Sequence, residues 1–467
     1  MSVSNTHFGA ERIEKMLKPC KSIFFCGIGG INMSSLAHVS KVNGWHVGGS
    51  DRTRSKLTER LEGEGIEIFY SQVASNVENY DAFVYTVAIG EDNEEYIRAK
   101  ERNIPIISRA DYMGYLMTEY ETRIGVSGMH GKSTVTSMCA SLLMSADTDP
   151  TVLSGAELDL MGGAYRVGKK DFFLFEACEY MDSFLDFNPN IAIVLNVELD
   201  HVDYFEDIEH IKRSYRSFAE ISLRNGGSVI ANADDENVRS AFEGCDGVIY
   251  FGVENKSATV RAENISQTNG RYSFDLICRD SFVQRIELSV SGYHNVYNAL
   301  ATATLSLVCG FSKEALFEGL KNFSGAARRM EYKGRINGAR VFDDYGHHPT
   351  EVKTTLAGVK KMLEGDGRLF CVFQSHTYSR THALFNDFAD ALSVADRVIV
   401  ADIYAARETD TLGVTPELLA ERLDGGVADH GFDAIAKRLK AELSQNDIAV
   451  VMGAGDIWHV FDHLCFE

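Results

Sequence analysis

Residues 123–134, RIGVSGMHGKST, are the stretch that decides the class of this 467-residue chain. They begin as a short apolar strand, turn at glycines, and lead into a helical pattern over residues 135–144. Such a turn lets several backbone N–H groups converge on one phosphate, and the following helix adds its positive N-terminal dipole. Lys132 is placed to reach the β- and γ-phosphates, and Ser133 to offer its hydroxyl to Mg²⁺. The stretch predicts a phosphate-binding loop for a magnesium-bound nucleotide.

The loop departs from the general P-loop pattern in one respect. Val126 stands where G-x-x-x-x-G-K-[ST] has its first glycine, so the shorter form G-x-x-G-K-[ST] remains. A chance Gly-Lys-Ser turn is the alternative, but the strand before it and the helix after it favour a phosphate site. The candidate nucleotide-binding residues of the loop are Gly128, Met129, His130, Gly131, Lys132, Ser133 and Thr134.

Acidic and histidine residues follow the next two predicted strands. The apolar run 172–175 ends at Glu176, and a carboxylate there can hold Mg²⁺ directly or through water. A second run, 191–197, is followed by Glu198, Asp200, His201 and Asp203. Ligands of parallel sheets bind at the carboxyl ends of the strands, which places His201 in the same crevice. Each residue alone fits an ordinary surface position, and it is the succession of strand ends that indicates a site.

Residues 27–32, GIGGIN, form a second glycine-rich turn between a strand and a helix. The turn begins as the dinucleotide-binding pattern G-x-G-x-x-G, but Asn32 replaces its third glycine. Asp51 follows the next strand, close to where a dinucleotide site has its ribose-binding acid. The pattern predicts a diphosphate at a helix N-terminus, whichever nucleotide carries it. A tight turn without a ligand is the alternative.

Strands and helices alternate along the chain, as is typical of parallel, doubly wound sheets. We predict an α/β protein of three domains: a Rossmann-like N-terminal domain, a central P-loop ATPase-like domain and a C-terminal Rossmann-like domain. The predicted boundaries are 1–120, 121–325 and 326–467, which fits a prior of roughly 150 residues per domain. Polar and apolar residues alternate over 259–290, which predicts antiparallel strands added to the central sheet.

The composition argues against several classes of protein. A net charge of −21 disfavours a nucleic-acid partner, because phosphate backbones are bound by clustered Lys and Arg. No apolar run approaches the roughly 20 residues of a membrane helix, and the N-terminal residues lack the apolar core of a secretory signal. The nine cysteines are scattered without a C-x-x-C pair, which disfavours disulfides and zinc ribbons. We therefore expect a cytoplasmic protein with neither a nucleic-acid nor a membrane partner.

Further polar clusters follow the predicted downstream strands or open predicted helices. They are SGYHNVYN at 291–298, RRME at 328–331, DDYGHHP at 343–349 and QSHTYSRT at 374–381. Two adjacent histidines on a loop rarely face one ion, so a metal site at His347 and His348 is the less favoured interpretation. Because these polar clusters share a position at strand ends, we predict that they line one cleft.

Together these motifs resemble those of the Mur ligases of bacterial peptidoglycan synthesis, over nearly the whole chain. The motifs are GIGGINMS at 27–34, GMHGKST at 128–134, FEACEY at 175–180, NVELDHVDYF at 196–205, HNVYNAL at 294–300, RRME at 328–331, DDYGHHPTEV at 343–352 and GAGDI at 453–457. The double histidine of DDYGHHP is similar to the alanine-adding branch of the family and its close relatives.

The resemblance implies a ligase that uses ATP and Mg²⁺ to join UDP-N-acetylmuramate to L-alanine, as a monomer or a homodimer. Residues 1–120 would bind the UDP-sugar, 121–325 would bind ATP and Mg²⁺, and 326–467 would bind the amino acid and close over both. The implied catalytic residues are Lys132, Glu176, His201, Arg329 and Asp344. The implied metal ligands are Ser133, Glu176 and His201, and the implied further nucleotide contacts are Asn295, Asn298 and Arg329. The implied substrate contacts are Gly29, Gly30, Ile31, Asn32, Asp51, Tyr345, His347, His348, His376 and Arg380.

The chain departs from the family pattern at Asn32, Met129, Cys178 and Thr377. The last departure removes a cation from the predicted cleft. Three other functions remain open at this point: a recycling ligase that adds a preformed tripeptide to the same sugar, an NAD-dependent oxidoreductase that uses the first glycine loop, and a non-catalytic nucleotide sensor. The oxidoreductase leaves the phosphate loop unexplained, and the number of candidate site residues argues against the sensor.

Overall fold

The computed structural model describes residues 3–201, 204–268, 270–406, 408–410 and 412–467, so the predicted site residue Asp203 lies outside the described residues. By its internal contacts the chain divides into two compact units. The first unit comprises Met1–Glu263, Asp275–Gln284 and Tyr297–Asn322, and the second comprises Asn264–Phe274, Arg285–Val296 and Phe323–Glu467. The described strands form sheets of five, ten and six strands, and the predicted α/β class is confirmed.

The first sheet is parallel throughout, in the order β3-β2-β1-β4-β5. Its strands are β1 (Ser22–Cys26), β2 (His46–Ser50), β3 (Glu67–Phe69), β4 (Ala82–Tyr85) and β5 (Ile106–Ser108). The accompanying helices are α1 (Ala10–Leu17), α2 (Ile31–Val42), α3 (Lys56–Gly63), α4 (Glu94–Glu101) and α5 (Arg109–Met117). The direction of winding reverses between β1 and β4, so the carboxyl end of β1 opens on the crevice where such sheets bind ligands.

Strand β1 is buried along its whole length. Phe24 stacks on Phe83, with ring centroids 5.9 Å apart, on one side of the sheet. Phe25 meets Tyr112 edge-on at 5.6 Å on the other side. A continuous apolar run of this kind is expected of a parallel strand that is covered on both faces.

The second sheet has the strand order β15-β14-β13-β12-β11-β10-β6-β9-β7-β8. Its strands are β6 (Thr122–Ser127), β7 (Thr151–Leu158), β8 (Gly163–Arg166), β9 (Phe172–Glu176), β10 (Ile191–Val194), β11 (Ser228–Asn232), β12 (Val248–Gly252), β13 (Val260–Thr268), β14 (Arg271–Cys278) and β15 (Ser281–Ser291). Its helices are α6 (Lys132–Ser145), α7 (Ile208–Arg224), α8 (Glu236–Ala241), α9 (His294–Cys309) and α10 (Lys313–Asn322). Strand β6 lies between β9 and β10 and is parallel to both, so three adjacent carboxyl ends meet at one edge.

One hairpin of the second sheet was predicted from the sequence, and another was not. Strands β14 and β15 are joined by Arg279 and Asp280, whose φ angles of 47° and 64° form the two-residue turn of an antiparallel hairpin. That hairpin lies in the segment where alternation predicted it. The hairpin of β7 and β8 was not predicted, because Ser154 and Gly155 interrupt any apolar run in β7. It pairs with β9 through β7, in parallel.

The third sheet has the order β16-β17-β21-β18-β19-β20 and is parallel except for β16, which runs antiparallel to β17. Its strands are β16 (Glu331–Ile336), β17 (Ala339–Asp344), β18 (Leu369–Phe373), β19 (Arg397–Val400), β20 (Val427–Ala428) and β21 (Ile448–Met452). Its helices are α11 (Pro349–Lys360), α12 (Tyr378–Ala383), α13 (Phe385–Leu392), α14 (Pro416–Ala420) and α15 (Phe432–Glu442). The central strands β18 and β21 are fully buried.

Short 3₁₀ segments complete the described structure. They are Ala74–Val77, Asp159–Met161, Tyr180–Asp186 and Ile457–His463. Among the described residues, no helix has the length and apolar character needed to span a bilayer.

Candidate active site

The phosphate loop lies at the carboxyl end of β6, and α6 begins directly after it. Gly128 (φ 142°) and Gly131 (φ 84°) both have backbone angles that favour glycine. At Gly128 a Cβ atom would also lie 2.9 Å from Cβ of Leu195, which follows β10. Glycine at both positions therefore permits the tight turn that presents the first amides of α6 to a phosphate.

Lys132 is the first residue of α6, and its side chain folds back over the loop. Its Nζ donates to the carbonyl oxygen of Gly128 (2.6 Å) and to both carboxylate oxygens of Glu179 (3.1 and 3.2 Å). Burial lowers the pKa of Lys132, but Glu179, Cys178 and Glu176 together outweigh burial and the pKa is raised overall. Burial likewise raises the pKa of Glu179, while Lys132 and then His201 lower it overall. Both groups of the pair are therefore charged.

The sequence did not single out Glu179, although it lies in the acidic motif after β9. The prediction rested on Glu176 because that residue ends the strand. The signal available was a second acid three residues later. The Glu179 side chain is 1% exposed, so it belongs to the floor of the loop rather than to the surface.

Glu176 faces the loop from the end of β9. Its Oε2 accepts a hydrogen bond from Oγ of Ser133 (3.1 Å), and its Oε1 accepts from the amide of Gly155 (2.6 Å) and from Oγ of Ser154 (3.4 Å). A Cβ atom at Gly155 would lie 2.7 Å from Oε2 of Glu176, so glycine leaves room for the carboxylate. Hydroxyl and carboxylate oxygens are ligands that Mg²⁺ prefers, and the pair Ser133 and Glu176 fits that ion.

His201 follows β10 in the left-handed region, with φ 52°. Its Nε2 lies 3.4 Å from Oε1 of Glu179, and its ring centroid lies 4.8 Å from that of Tyr180. Glu179 thus lies between Lys132 and His201. A metal-binding role for His201 stays a prediction.

Two asparagines border the loop. Asn196 was not among the predicted residues, yet its Oδ1 accepts from the amide of His130 (2.8 Å) and its Nδ2 donates to the carbonyl of the same residue (3.0 Å). Oδ1 of Asn298 lies 3.0 Å from the place of a Cβ atom on Gly131, which puts Asn298 against the loop. The side chain of Met129 is 7% exposed and belongs to the hydrophobic core. An apolar residue is therefore accommodated where the family has threonine.

The other glycine loop lies at the carboxyl end of β1. The carbonyl oxygen of Ser50 accepts from the amides of Gly27 (2.8 Å) and Ile28 (2.9 Å), and Oδ2 of Asp51 accepts from the amide of Gly29 (2.9 Å). These amides are used within the fold. The amides that remain for a ligand are those of the first turn of α2, which have no carbonyl partner inside the helix. That helix has no side-chain cap and no acidic residue in its first turn.

Asp51 therefore has a structural task that its predicted role did not include. Its second oxygen accepts from the amide of Thr53 at 3.0 Å, so both oxygens hold backbone. Among the other predicted contacts here, Ile31 and Asn32 are exposed at the start of α2.

In the second unit, Asp344 is the last residue of β17 and is buried. Its Oδ2 accepts from the amide of Met330 and its Oδ1 from the amide of Gly346, each at 2.9 Å. Burial raises the pKa of Asp344 to about 6, against the opposing effect of Arg329. Burial also raises the pKa of its neighbour Asp343 to about 6.

The two adjacent arginines have different surroundings. The guanidinium of Arg328 donates to the carbonyl oxygens of Gly453 (2.5 Å) and Gly455 (3.3 Å) and lies 3.4 Å from Oδ2 of Asp343. The guanidinium of Arg329 lies 4.9 Å from the ring centroid of Tyr345. Arg328 thus ties the ends of neighbouring strands together.

The two adjacent histidines also differ. Nδ1 of His348 accepts from the amide of Thr350 (3.3 Å) and caps the N-terminus of α11, in a capping box completed by Glu351. The amide of His347 donates to Oε2 of Glu351 (3.0 Å). The rings of His347 and His376 lie 6.0 Å apart between centroids. His347 and His376 are therefore brought together, while His348 is occupied in holding the helix.

Arg380 lies in α12, near His376. The hydroxyl of Thr377 accepts from the amide of Arg380 (3.4 Å) and caps that helix, which is what threonine supplies at this departure from the family. At the start of α9, Nδ2 of Asn295 donates to the carbonyl oxygen of Ser291 (2.7 Å). Asn295 belongs to the second compact unit and Asn298 to the first.

A phosphate loop at a central parallel strand, flanked by strand ends that carry Glu176 and His201, defines a nucleotide-binding α/β protein of the P-loop class. Three family descriptions match the chain in succession: "Mur ligase family, catalytic domain" over residues 22–121, "Mur ligase middle domain" over 126–306 and "Mur ligase, glutamate ligase domain" over 328–455. The chain belongs to the Mur ligase family.

Relatives match over nearly the full length. A UDP-N-acetylmuramate–L-alanine ligase of Clostridium novyi (strain NT) is 43% identical over 445 residues, which is 94% of this chain and 96% of that protein. The crystal structure of a UDP-N-acetylmuramate–alanine ligase from Thermotoga maritima has a TM-score of 0.78 at 28% identity and covers 94% of this chain and 97% of its own. A murein peptide ligase from Psychrobacter arcticus 273-4 has a TM-score of 0.70 at 24% identity, covers 95% and 98%, and supports the fold alone.

Proposed function

We propose that this protein joins the lactyl carboxylate of UDP-N-acetylmuramate to the amine of L-alanine, with ATP converted to ADP and phosphate. It is an ATP-dependent ligase of peptidoglycan precursor synthesis, and relatives that match it at about the same length are named UDP-N-acetylmuramate–L-alanine ligases. The observation that carries the proposal is the meeting of three adjacent strand ends, which gathers Lys132, Glu176 and His201 around one phosphate loop.

In the first step a carboxylate oxygen attacks the γ-phosphorus of ATP, the bond to the β-phosphate oxygen breaks, and ADP leaves an acyl phosphate. Phosphoryl transfer needs alignment and neutralised charge more than covalent help. We assign Lys132 to the transferred phosphate and Ser133 with Glu176 to Mg²⁺, a bound ion that would neutralise phosphate oxygens. His201, beside Glu179, is the proposed holder of a second ion.

In the second step the neutral amine of L-alanine attacks the acyl carbon. The tetrahedral intermediate collapses to the amide as the bond from carbon to the phosphate oxygen breaks, and the proton lost by the amine ends on the departing phosphate. We assign Arg329 and Asp344 to this chemistry, with Arg329 facing phosphate charge. His347, His376 and Arg380 are proposed to contact the amino acid and the lactyl carboxylate, together with the half-buried Tyr345 and the buried His348 before α11.

For the UDP-sugar we propose the start of α2. The first-turn amides and the helix dipole there suit a diphosphate. We infer the division of labour that the sequence predicts, with residues 1–120 for the UDP-sugar, 121–325 for ATP and Mg²⁺ with Asn295 and Asn298 near the nucleotide, and 326–467 for the amino acid. A cytoplasmic location and a monomer or homodimer complete the proposal.

The experiment is phosphate release from ATP-Mg²⁺ with UDP-N-acetylmuramate and one amino acid at a time. Release should require both substrates and be fastest with L-alanine, compared with glycine, L-serine and the tripeptide L-Ala-D-Glu-diaminopimelate. Faster release with the tripeptide would establish the recycling reaction instead. The Lys132→Ala variant is the control for contaminating ATPases, and an absence of release in the wild type with every acceptor would refute the assignment.

A further inference from the structure

Beneath the loop at Gly27 lies a carboxyl group to which the proposed chemistry assigns no task. Glu95, in the first turn of α4, is 0% exposed. Its Oε2 accepts from Oγ of Ser50 (2.6 Å), and its Oε1 accepts from Nδ2 of Asn76 (2.7 Å). The thiol of Cys26, the last residue of β1, is a further neutral partner. Burial raises the pKa of Glu95.

The contacts of Ser50 connect this group to the loop. Its hydroxyl is bound by Glu95, while its carbonyl oxygen accepts from the amides of Gly27 (2.8 Å) and Ile28 (2.9 Å). Gly49, one residue earlier, packs closely against β1, because a Cβ atom there would lie 2.4 Å from the carbonyl oxygen of Phe25. The position of Ser50 therefore sets the direction from which the chain enters α2.

The direction from which the chain enters α2 matters because this helix offers a ligand only its backbone N–H groups. Gly30, which precedes the helix at the N-cap position, provides no side-chain cap, and the first turn of α2 contains no basic side chain. An anion at such a place is held by several N–H groups at once, so their convergence depends on how the turn is fixed. A small tilt of the turn would weaken every contact together.

We propose that Glu95 is a positioning residue of the UDP-sugar site: through Ser50 it holds the glycine loop so that the amides of Ile31, Asn32 and Met33 converge on the diphosphate. The proposal rests on the assignment of the UDP-sugar to this loop. Glu95 does not touch the substrate. A carboxyl group suits the task because its two oxygens accept from Ser50 and Asn76 simultaneously, whereas an amide would turn a donor toward one of them.

The test compares five variants by steady-state kinetics and by calorimetric binding of UDP-N-acetylmuramate. Glu95→Gln, which keeps the volume, and Ser50→Ala should each raise the KM and Kd for UDP-N-acetylmuramate roughly tenfold or more, as misplaced contacts do. The KM for ATP should stay within about twofold of wild type, since the phosphate loop at β6 is untouched. The double variant should be no worse than the poorer single variant, because both act through one contact.

Asp81→Asn is the matched structural control. Asp81 accepts from the amides of Lys21 (2.8 Å) and Ser22 (3.0 Å) at the opposite end of β1. Its loss should lower the melting temperature while the KM for UDP-N-acetylmuramate stays unchanged. If the Glu95 variants lose affinity for both UDP-N-acetylmuramate and ATP in proportion to their loss of melting temperature, Glu95 has a merely structural role. That result would overturn the proposal.

Asn32→Asp separates this proposal from the assignment on which it rests. The exchange keeps the shape and places a carboxylate in the first turn of α2, where it favours the helix but repels a diphosphate. Weaker binding of UDP-N-acetylmuramate in Asn32→Asp with unchanged binding in Glu95→Gln would overturn the role of Glu95 and leave the site standing. Unchanged binding in Asn32→Asp would overturn both, because the diphosphate would then lie elsewhere.

Discussion

Nζ of Lys132 lies 3.1 Å from Oε2 of Glu179, and the other oxygen of that carboxylate lies 3.4 Å from Nε2 of His201. One buried carboxylate thus orders two of the groups that phosphoryl transfer is proposed to use. The carbonyl of Gly128 completes the surroundings of the ammonium. A triphosphate that takes up Lys132 must compete with these contacts, and Glu179 is then left to His201.

The first prediction concerns this ion pair. Lys132→Met should abolish phosphate release and lower the free energy of unfolding by about 3 kcal/mol at neutral pH, because Glu179 is left charged and buried. Lys132→Met with Glu179→Gln should recover most of the stability but none of the activity. Urea denaturation and the phosphate-release assay measure the two effects. A single Lys132→Met variant as stable as wild type would contradict the account.

The pair also defines a pH window. The pKa of Glu179 is lowered, so its contribution to stability is present above its ordinary value and is lost as pH falls through the lowered pKa. The pKa of Lys132 is raised, so its contribution is present below its ordinary value and is lost as pH rises through the raised pKa. Both contributions are present at pH 7. The stability of Lys132→Met at this pH is therefore compared with that of the double variant, in which neither charge remains.

The second prediction concerns the room left beside Glu176. Gly155→Ala would place Cβ 2.7 Å from Oε2 and displace the carboxylate from Ser133. Turnover should fall about a hundredfold, as misplacement of a catalytic group does, and the dependence on Mg²⁺ concentration should shift upward. Gly358→Ala is the control: nothing lies within 4 Å of its Cβ position in α11, and alanine should stabilise that helix by about 0.5–1 kcal/mol. Equal activity in both variants would refute the arrangement at Glu176.

The features that could be predicted from the sequence are those that depend on local patterns of residues. The strands β1 and β18 were predicted because central parallel strands are continuous apolar runs. The phosphate loop was predicted because glycines and a following helix are local features of the chain. Glu176 and His201 could be grouped because one ends and the other follows a strand of the same parallel sheet.

Other features depend on contacts that no local pattern records. Glu179 and Asn196 reach the loop only because β9 and β10 flank β6, which is a property of strand order. The hairpin of β7 and β8 exists because β7 adds to β9, and Gly155 matters only through that pairing. The capping role of His348 could not be distinguished from substrate binding, because both place a histidine at the same strand end.

The third prediction concerns Asp343. Its folded pKa of about 6 lies above the ordinary value of 3.8, so the folded state binds this proton more tightly. This group therefore contributes about 3 kcal/mol to the free energy of unfolding well below its ordinary pKa, and the contribution is lost as pH rises through about 6. In Asp343→Asn the decline in stability between the two measured pH values should be smaller by about 2 kcal/mol, and stability at pH 7.5 should be at least that of wild type. Urea unfolding at pH 4.5 and 7.5 measures it, and an unchanged decline would contradict the prediction.

The fourth prediction separates two adjacent arginines. Arg328 bonds two carbonyl oxygens and Asp343, whereas Arg329 contacts the ring of Tyr345 and lies 3.9 Å from Glu351. Arg328→Ala should cost about 3 kcal/mol of stability, because it leaves buried acceptors without a donor. Arg329→Ala should change stability by less than about 1 kcal/mol, the usual size for a partly exposed pair.

The turnover per folded molecule should rank the two variants in the opposite order, with Arg329→Ala the more affected. Arg329→Ala should reduce turnover about a hundredfold or more, the usual effect of removing a cation that stabilises transition-state charge. Arg328→Ala, assayed well below its own melting temperature, should retain most of the turnover per folded molecule, because its guanidinium is already used by Gly453 and Gly455. Arg329→Lys is the charge-preserving control and should recover part of the rate. If Arg328→Ala loses turnover while fully folded and Arg329→Ala keeps it, the roles of the two arginines are reversed. Arg328, and not Arg329, would then be the cation that faces the phosphate.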